Sequence, residues 1–230
     1  YPAVGEEFKP IEKTDQKLLG VKEKYNLSDS FILYFGTIEP RKNLLALIEA
    51  FEKIKRQKTK IPLEVQWDGF EGVVKNEKKD FFAFQSLKLV VAGNKGWLYG
   101  DVFKKIEQSP YRKDIIVTGF IEEGDRPYLY NLAEMFVYPS FFEGFGFPPL
   151  EAMACGIPVA VSNKSSLPEV VGDAAVMFDP QNIDEIGFVI KEILENKKLG
   201  KFLVERGLQR VKLFDWDKTA EEFLNLFEKK

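Results

Sequence analysis

Histidine is missing from this 230-residue sequence, and cysteine occurs once, at Cys155. Without histidine the chain can form neither a histidine-activated nucleophile nor a histidine-ligated zinc site, and imidazole acid–base chemistry is excluded. A single cysteine allows no intrachain disulfide, which favours an intracellular protein. Cys155 lies in a predicted helix between Ala154 and Gly156, where a small core residue is a better interpretation than a nucleophile. Carboxylates, lysines and backbone amides must therefore carry the chemistry.

Excess charge and long apolar segments are also missing. The net charge is −3, which argues against a broad surface for nucleic acid or anionic membrane, so any phosphate site must be local. No apolar run approaches the length of a membrane span, and the first five residues do not resemble a signal peptide. A cytoplasmic location is expected. Because the sequence begins with Tyr1 rather than methionine, we also expect it to be part of a longer protein.

The chain does contain a regular alternation of short apolar runs and amphipathic stretches. Nearly continuous apolar runs are typical of strands that are buried on both faces of a parallel sheet. Six strands are predicted, at residues 31–36, 87–93, 115–119, 135–140, 158–162 and 175–179. Amphipathic helices are predicted between them. The alternation predicts an α/β fold with a Rossmann-like, doubly wound parallel sheet and flanking helices, which binds ligands at the carboxyl ends of its strands.

Three segments depart from this alternation. Residues 1–30 are predicted to be a linker with a short helix around residues 16–25. Residues 58–85 form an unusually long connection, in which alternating apolar residues before an Asp-Gly pair predict a surface hairpin. Residues 197–230 are predicted to form two helices, the second of which begins at residues 214–217. The predicted organisation is therefore one Rossmann-like domain at 31–213, which contains the insertion, and a closing helix at 214–230.

The most informative segment joins the fourth predicted strand to the helix after it. The strand ends at Ser140, a loop with Gly144 and Gly146 follows, and Pro148 and Pro149 mark the start of the helix. Proline suits the first helical turn, and glycine allows the backbone to approach a ligand closely. A helix start presents free N–H groups and a partial positive charge, which suit a phosphate or a polarised hydroxyl.

Two glutamates bracket this segment, Glu143 in the loop and Glu151 in the first predicted turn of the helix. Both are expected to face the crevice at the strand ends, where carboxylates can accept hydrogen bonds from paired sugar hydroxyls. Taken singly, Glu151 is explained by the helix dipole and the glycines by a tight turn. Together, two carboxylates around Gly-Phe-Gly-Phe-Pro-Pro are better explained by a sugar-donor site.

This segment resembles the signature of family-four retaining glycosyltransferases, which are two-domain enzymes of the B-type fold. Its residues are Glu143-Gly144-Phe145-Gly146-Phe147-Pro148-Pro149-Leu150-Glu151-Ala152-Met153-Ala154-Cys155-Gly156-Ile157-Pro158-Val159. Segments 36–43, 90–97, 116–120, 165–175 and 214–222 also resemble the family. The resemblance covers the chain from about residue 31 to its end, except for the insertion. It implies that the chain is the C-terminal, donor-binding half of such an enzyme.

The resemblance also implies roles for matching residues. Lys42, with Arg41 beside it, would contact the donor diphosphate, and Glu151 would hold the ribose hydroxyls. Glu143 would address the transferred sugar and the reacting face, so Glu143 and Lys42 are the catalytic candidates. The remaining donor-binding candidates are Gly119, Phe120 and Ile121 at the nucleobase, and Gly144, Phe145, Gly146, Phe147 and Leu150 in the glycine-containing loop and helix.

The chain departs from the family pattern in two ways. Many members carry an arginine where this chain has Thr37, and Arg41 is the candidate to replace that phosphate cation. Alternatively, Arg41 and Lys42 are solvated charges on the outer face of a helix. The second departure is the N-terminal acceptor-binding domain, which the chain lacks together with the histidine that this domain commonly supplies. The missing half is the expected protein partner, and the isolated chain is expected to be inactive.

The segment from Glu39 to Asn43 resembles that of bacterial and archaeal mannosyltransferases of surface-polysaccharide synthesis. The resemblance therefore implies GDP-mannose as the donor, with a UDP-hexose such as UDP-glucose as the alternative, and a glycan or lipid-linked acceptor. It implies no essential metal and no cofactor, because the side chains and helix starts stabilise the leaving group. A peripheral position at the inner membrane surface is expected through the missing half.

Two other functions fit parts of the pattern. One is a non-catalytic module that holds a nucleotide sugar or a partner protein. The other is an epimerase of the same general fold, against which the frame of Glu143 and Glu151 argues. The segment Asp215-Trp216-Asp217 has the Asp-x-Asp form that binds metal in A-type glycosyltransferases. Because it precedes the second of two helices predicted in residues 197–230, an aspartate N-cap is the simpler interpretation.

Overall fold

A computed structural model describes residues 3–56 and 84–228 of the chain. The predicted hairpin insertion at 58–85 lies outside the described residues, apart from its last two positions. In the described part, a six-stranded parallel sheet is flanked by helices, and one continuous apolar core runs through the sheet and the helices packed on it.

All six predicted strands are confirmed, with ends that differ by at most two residues. The strands are β1 (Phe31–Phe35), β2 (Lys88–Ala92), β3 (Ile115–Gly119), β4 (Met135–Tyr138), β5 (Val159–Ser162) and β6 (Val176–Phe178). They pair in the order β3-β2-β1-β4-β5-β6, and every pair is parallel. Every residue of β4 and β5 is buried, which explains why the sequence has continuous apolar runs there rather than alternation. The predicted Rossmann-like α/β fold is confirmed.

The helices lie between and after the strands. In the described residues they are α1 (Gln16–Lys24), α2 (Leu44–Lys55), α3 (Gly100–Gln108), α4 (Arg126–Leu132), α5 (Phe147–Ala154), α6 (Leu167–Val171), α7 (Ile183–Glu195), α8 (Lys197–Val211) and α9 (Trp216–Glu228). The apolar stripe of α2 is buried and packs on α7. This burial against a neighbour holds the helix more than its intrinsic propensity does.

The Asp-x-Asp segment forms a helix cap. The Asp215 side chain accepts hydrogen bonds from the backbone N–H groups of Asp217, at 2.8 Å, and Lys218, at 3.1 Å. These bonds satisfy two of the amides that the start of α9 leaves without partners. The N-cap interpretation is therefore confirmed.

Cys155 is a core residue at the end of α5, as predicted. Only 2% of its surface is exposed, and its thiol donates to the carbonyl oxygen of Pro127 at 3.7 Å. Burial raises the pKa of this thiol well above its ordinary value, because the apolar surroundings disfavour the thiolate. The thiol is therefore not a nucleophile near neutral pH.

The order of the strands creates a crevice between β1 and β4. From β1 the chain continues outward through β2 and β3, and from β4 it continues outward through β5 and β6 on the other side. The connections that leave the carboxyl ends of β1 and β4 therefore diverge, and this is where doubly wound sheets bind ligands. The loops that carry Lys42 and Glu143 follow these two strands.

Candidate functional site

Lys42 lies in a short 3-10 turn, Pro40–Lys42, between β1 and α2. Asn43 closes this turn in a left-handed conformation with φ 57°, which asparagine tolerates better than most residues. Its side-chain amide donates to the carbonyl oxygens of Pro139, at 3.2 Å, and Pro180, at 2.7 Å. Asn43 thereby anchors the turn to the end of β4, and Lys42 is left only 6% exposed.

Lys42 and Arg41 converge on Glu143, across the crevice between β1 and β4. The Lys42 ammonium donates to Glu143 Oε1 at 2.6 Å and to the hydroxyl of Tyr138 at 2.7 Å. Arg41 donates to Glu143 Oε2 at 2.9 Å and to Glu39 at 2.6 Å. We call Glu39, Arg41, Lys42 and Glu143 the switch-point cluster. The alternative that places both cations on a solvated outer face is wrong, because Lys42 is buried and both cations contact Glu143.

The charges of the switch-point cluster cancel, since two cations meet two carboxylates. Burial alone would raise the pKa of Glu143, but the hydrogen bond from Lys42 and the charges of Lys42 and Arg41 outweigh it and lower that pKa. Burial and the Glu143 charge raise the pKa of the neighbouring Tyr138 hydroxyl, which stays protonated. In this arrangement Glu143 pairs with both cations, and the cluster has no excess positive charge.

Serine hydroxyls position the loop that carries Glu143. Ser165 donates to the Glu143 carbonyl oxygen at 2.7 Å, and Ser166 donates to the Phe145 carbonyl oxygen at 2.6 Å. Gly146 precedes α5 with φ 122°, a conformation that side chains rarely adopt. A methyl group built on Gly144 would meet no atom within 4 Å, so this position faces open space. The serine hydrogen bonds therefore fix one side of the loop, while the side at Gly144 faces open space.

Glu151 lies in the second turn of α5, because the helix begins at Phe147 and not at the prolines. The prediction that Glu151 lies in the first turn is therefore wrong, because the helix begins one residue earlier than the prolines indicated. Its side chain is only 8% exposed and accepts hydrogen bonds from Arg126 and, at 2.8 Å, from the Tyr130 hydroxyl. Sequence reasoning missed Arg126 and Tyr130, and no local pattern in α4 distinguishes them from ordinary helix residues.

The predicted nucleobase segment lies at the carboxyl end of β3. Gly119 has φ 72°, and its carbonyl oxygen accepts from the Gly93 amide at 2.9 Å. Phe120 is 65% exposed, whereas Ile121 is buried. The side chain of Leu150 is fully buried in the core, so only its backbone is available to a ligand. The roles of these residues remain predictions.

Phe145 and Phe147 flank Gly146 and pack on each other, with ring centroids 5.0 Å apart. Phe145 also contacts Phe214 edge to face, at 5.9 Å between centroids, so the loop is braced by the residue just before the cap of α9. Phe147 is 39% exposed at the start of α5. The loop's aromatic residues therefore support its shape, and their predicted donor contacts remain untested.

Residues 3–56 and 84–228 contain no group of three or more Asp, Glu, Cys or His side chains that could hold a metal ion. Over the same ranges, none of the helices is both long enough and apolar enough to cross a membrane.

Comparison with known proteins identifies the family. The model of the family described as Glycosyl transferases group 1 matches residues 15–210. The O-antigen chain mannosyltransferase B of Escherichia coli is 34% identical over 219 residues, which are 95% of this chain and 51% of that protein. The serotype-specific mannosyltransferase WbdA of Escherichia coli is 36% identical over 218 residues, 95% of this chain and 24% of that protein. The chain thus spans about half of the first relative and about a quarter of the second.

A solved structure shows the same fold. Anabaena HepE in complex with UDP-glucose superimposes with a TM-score of 0.76 at 14% identity, over 100% of this chain and 57% of that one. The six-stranded parallel sheet with flanking helices therefore has the Rossmann-like fold of B-type glycosyltransferases. Because the family model matches most of the sequence, the chain belongs to the group 1 glycosyl transferases.

Proposed function

We propose that the chain is the donor-binding half of a retaining mannosyltransferase and that its donor is GDP-mannose. The observation that carries the proposal is the switch-point cluster, where Lys42, Arg41 and Glu143 meet at the carboxyl ends of β1 and β4. Cations at that place suit a diphosphate, and a carboxylate beside them suits sugar hydroxyls. The mannosyl assignment is supported by the names of the two Escherichia coli relatives.

In this proposal the protein stabilises the departing nucleoside diphosphate and places the sugar. Lys42 and Arg41 release Glu143 and take the diphosphate, whose negative charge grows as the glycosidic bond breaks. Glu143, freed from the cations, accepts hydrogen bonds from hydroxyls of the transferred sugar. Glu151 accepts from the ribose hydroxyls, and the backbone around Gly119 meets the base. Lysine and arginine supply the charge stabilisation, so the proposal requires neither a metal nor a cofactor.

The proposal includes a second domain that brings the acceptor. Its support is an apolar face on α9, where Trp216, Phe223, Leu224 and Phe227 are each about 60% exposed or more. Exposed apolar clusters of this kind mark surfaces that pack on another domain or protein. Phe120 and Phe142, at the carboxyl edge of the sheet, are more than 60% exposed as well. We propose that this second, acceptor-binding domain is supplied by a longer enzyme and that the isolated chain does not transfer sugar. Any contact with the inner membrane surface would then lie in the acceptor-binding domain.

The test is thermal unfolding of the chain with GDP, UDP, ADP, GDP-mannose and UDP-glucose. A ligand at a hundred times its dissociation constant adds about 2.7 kcal/mol to the free energy of unfolding. GDP and GDP-mannose are expected to raise the unfolding temperature more than the other ligands do. Lys42→Met and Glu151→Gln are expected to abolish the shift. Lys53→Met, which removes a partly exposed ion pair between Lys53 of α2 and Asp184 of α7, is expected to leave it intact.

The outcomes separate the parts of the proposal. A larger shift with UDP or UDP-glucose, the molecule bound to HepE, retains the donor site and overturns the GDP-mannose assignment. If no nucleotide shifts the unfolding temperature at millimolar concentration, the chain alone is not a donor-binding half. Mannosyl transfer by the longer enzyme from GDP-mannose, with the anomeric configuration of the product measured by NMR, tests the retaining activity.

A further inference from the structure

Glu151 is held from two sides by residues of α4. Its Oε1 accepts from the guanidinium of Arg126, and its Oε2 accepts from the Tyr130 hydroxyl at 2.8 Å. An ionised carboxylate has about four lone-pair positions, two on each oxygen. Arg126 and Tyr130 use one on each oxygen, so each oxygen keeps one lone pair for another donor. Two adjacent acceptors of this kind match the spacing of a vicinal diol.

Arg126 is itself fixed in place. Its guanidinium lies 4.9 Å from the ring centroid of Phe35, at the end of β1, and 5.4 Å from that of Phe8. Contacts with aromatic faces orient the planar guanidinium group. Its Nε is buried and has no hydrogen-bond partner among the described residues. The guanidinium therefore has a restricted orientation and directs its one strong bond at Glu151.

The position of Arg126 in the chain connects two parts of the crevice. It is the first residue of α4, seven positions after Gly119 at the end of β3, whereas Glu151 lies in α5 after β4. A bond between them couples the segment beyond β3 to the helix beyond β4. The two bonds together neutralise the buried carboxylate and use only one lone pair on each oxygen.

We propose that Arg126 is a positioning residue of the donor site: it orients Glu151 so that the carboxylate accepts from the 2′ and 3′ hydroxyls of a ribose. The inference rests on the proposed function, in which Glu151 holds the ribose of a nucleoside diphosphate. It assigns ribose discrimination to an ion pair between α4 and α5, with Tyr130 holding the second oxygen. Arg126 does not touch the reacting atoms.

The test compares a ribonucleotide with its deoxy analogue. Dissociation constants of GDP, 2′-deoxy-GDP and inorganic pyrophosphate are measured by calorimetry for wild type, Arg126→Met and Arg126→Lys, with the corresponding uridine pair if GDP does not bind. A site that hydrogen-bonds a hydroxyl through a charged group is expected to prefer the ribonucleotide by about tenfold or more. In Arg126→Met this preference is expected to fall below about threefold, with no change in pyrophosphate affinity. Arg126→Lys keeps the positive charge but loses the planar guanidinium with its paired N–H donors. Its preference for the ribonucleotide is expected to lie between those of wild type and Arg126→Met.

Lys105→Met is the matched control, because Lys105 neutralises another buried carboxylate, Glu52, at 3.2 Å and outside the crevice. It is expected to lower the unfolding temperature without changing the ribose preference. If Arg126→Met does not fold, Arg126→Lys decides: full wild-type preference in that variant overturns the inference. Preference retained in a folded Arg126→Met also overturns it and leaves the donor site intact. A wild type that binds nucleotide without ribose preference instead overturns the assigned role of Glu151, and the inference with it.

Discussion

Glu143 forms ion pairs with Lys42 and Arg41, the two cations that are proposed to bind the diphosphate. Replacing Glu143 with glutamine tests whether its carboxylate competes with the diphosphate for them. Glu143→Gln preserves the shape of the side chain and removes its charge. Lys42, whose side chain is 8% exposed, would keep the Tyr138 hydroxyl and the new amide oxygen as hydrogen-bond partners of its ammonium but would lose its counter-ion. Arg41 would keep its ion pair with Glu39. The cluster would change from neutral to a net charge of about +1 near neutral pH.

The structure sets the size of the expected effect. A hydrogen bond to a charged group contributes about 1.5–3 kcal/mol, and the buried bond from Lys42 at 2.6 Å belongs in that range. The bond from Arg41, whose side chain is 38% exposed, contributes less because water screens it. A diphosphate that no longer displaces Glu143 should therefore bind about tenfold to a hundredfold more tightly. Leaving Lys42 without its counter-ion should cost about 3 kcal/mol of folding stability.

Calorimetric titration with inorganic pyrophosphate is the direct assay, because pyrophosphate has neither base nor sugar. Glu52→Gln is the control, since it also removes the charge of a buried, paired carboxylate, but outside the crevice. It should lower stability and leave the pyrophosphate affinity unchanged. If folded Glu143→Gln binds pyrophosphate no more tightly than wild type, Glu143 does not compete with the diphosphate, and the exchange described for the switch-point cluster is wrong.

Three other predictions follow from the described contacts. Gly93→Ala should reduce stability by about 3 kcal/mol or more, measured by urea denaturation, because φ is +134° and the new methyl group would lie 2.1 Å from the Gly36 carbonyl oxygen. Gly100→Ala is the control, since a methyl group there meets no atom within 4 Å. An equal loss of stability in Gly100→Ala would refute the argument. Cys155 should resist alkylation at pH 8 in the folded chain and react once urea unfolds it, and labelling of the native chain at the unfolded rate would contradict its burial. Folding lowers the pKa of Glu143, so its contribution to stability is complete above its unfolded pKa of about 4.3 and is lost as the pH falls through the folded pKa. Wild type should therefore lose stability more steeply than Glu143→Gln below about pH 5. Parallel pH profiles of the two proteins would count against the ion pair.

The strands and caps were predictable because their signals are local. A strand that is buried on both faces requires consecutive apolar residues, and 135–140 and 158–162 have them without reference to the rest of the chain. Asp215 precedes a helical pattern, and an aspartate side chain there has backbone amides within reach. The start of α5 was misplaced by one residue, because prolines are compatible with several positions in a first turn.

The candidate site was predictable in its parts. The spacing of Glu143, the glycines and Glu151 indicated a sugar-donor site, and the resemblance added Lys42 and Arg41. That both cations contact Glu143 could not be inferred, because Lys42 and Glu143 are 101 residues apart. Their contact depends on β1 and β4 being neighbours in the sheet. The sequence alone also left solvated cations as an alternative, which the burial of Lys42 excludes.

By itself, the sequence determined which segments become strands and helices, which loops follow the strands, and which of their residues can carry charge. Only the tertiary structure decided how those charges pair. Arg126 has no local feature that marks it, and it contacts Glu151 because α4 and α5 pack together with Phe35 and Phe8 beside its guanidinium. Secondary structure depends on the side chains within a few positions, whereas a buried ion pair depends on which elements the whole core brings together, since both charges must lose water at the same place.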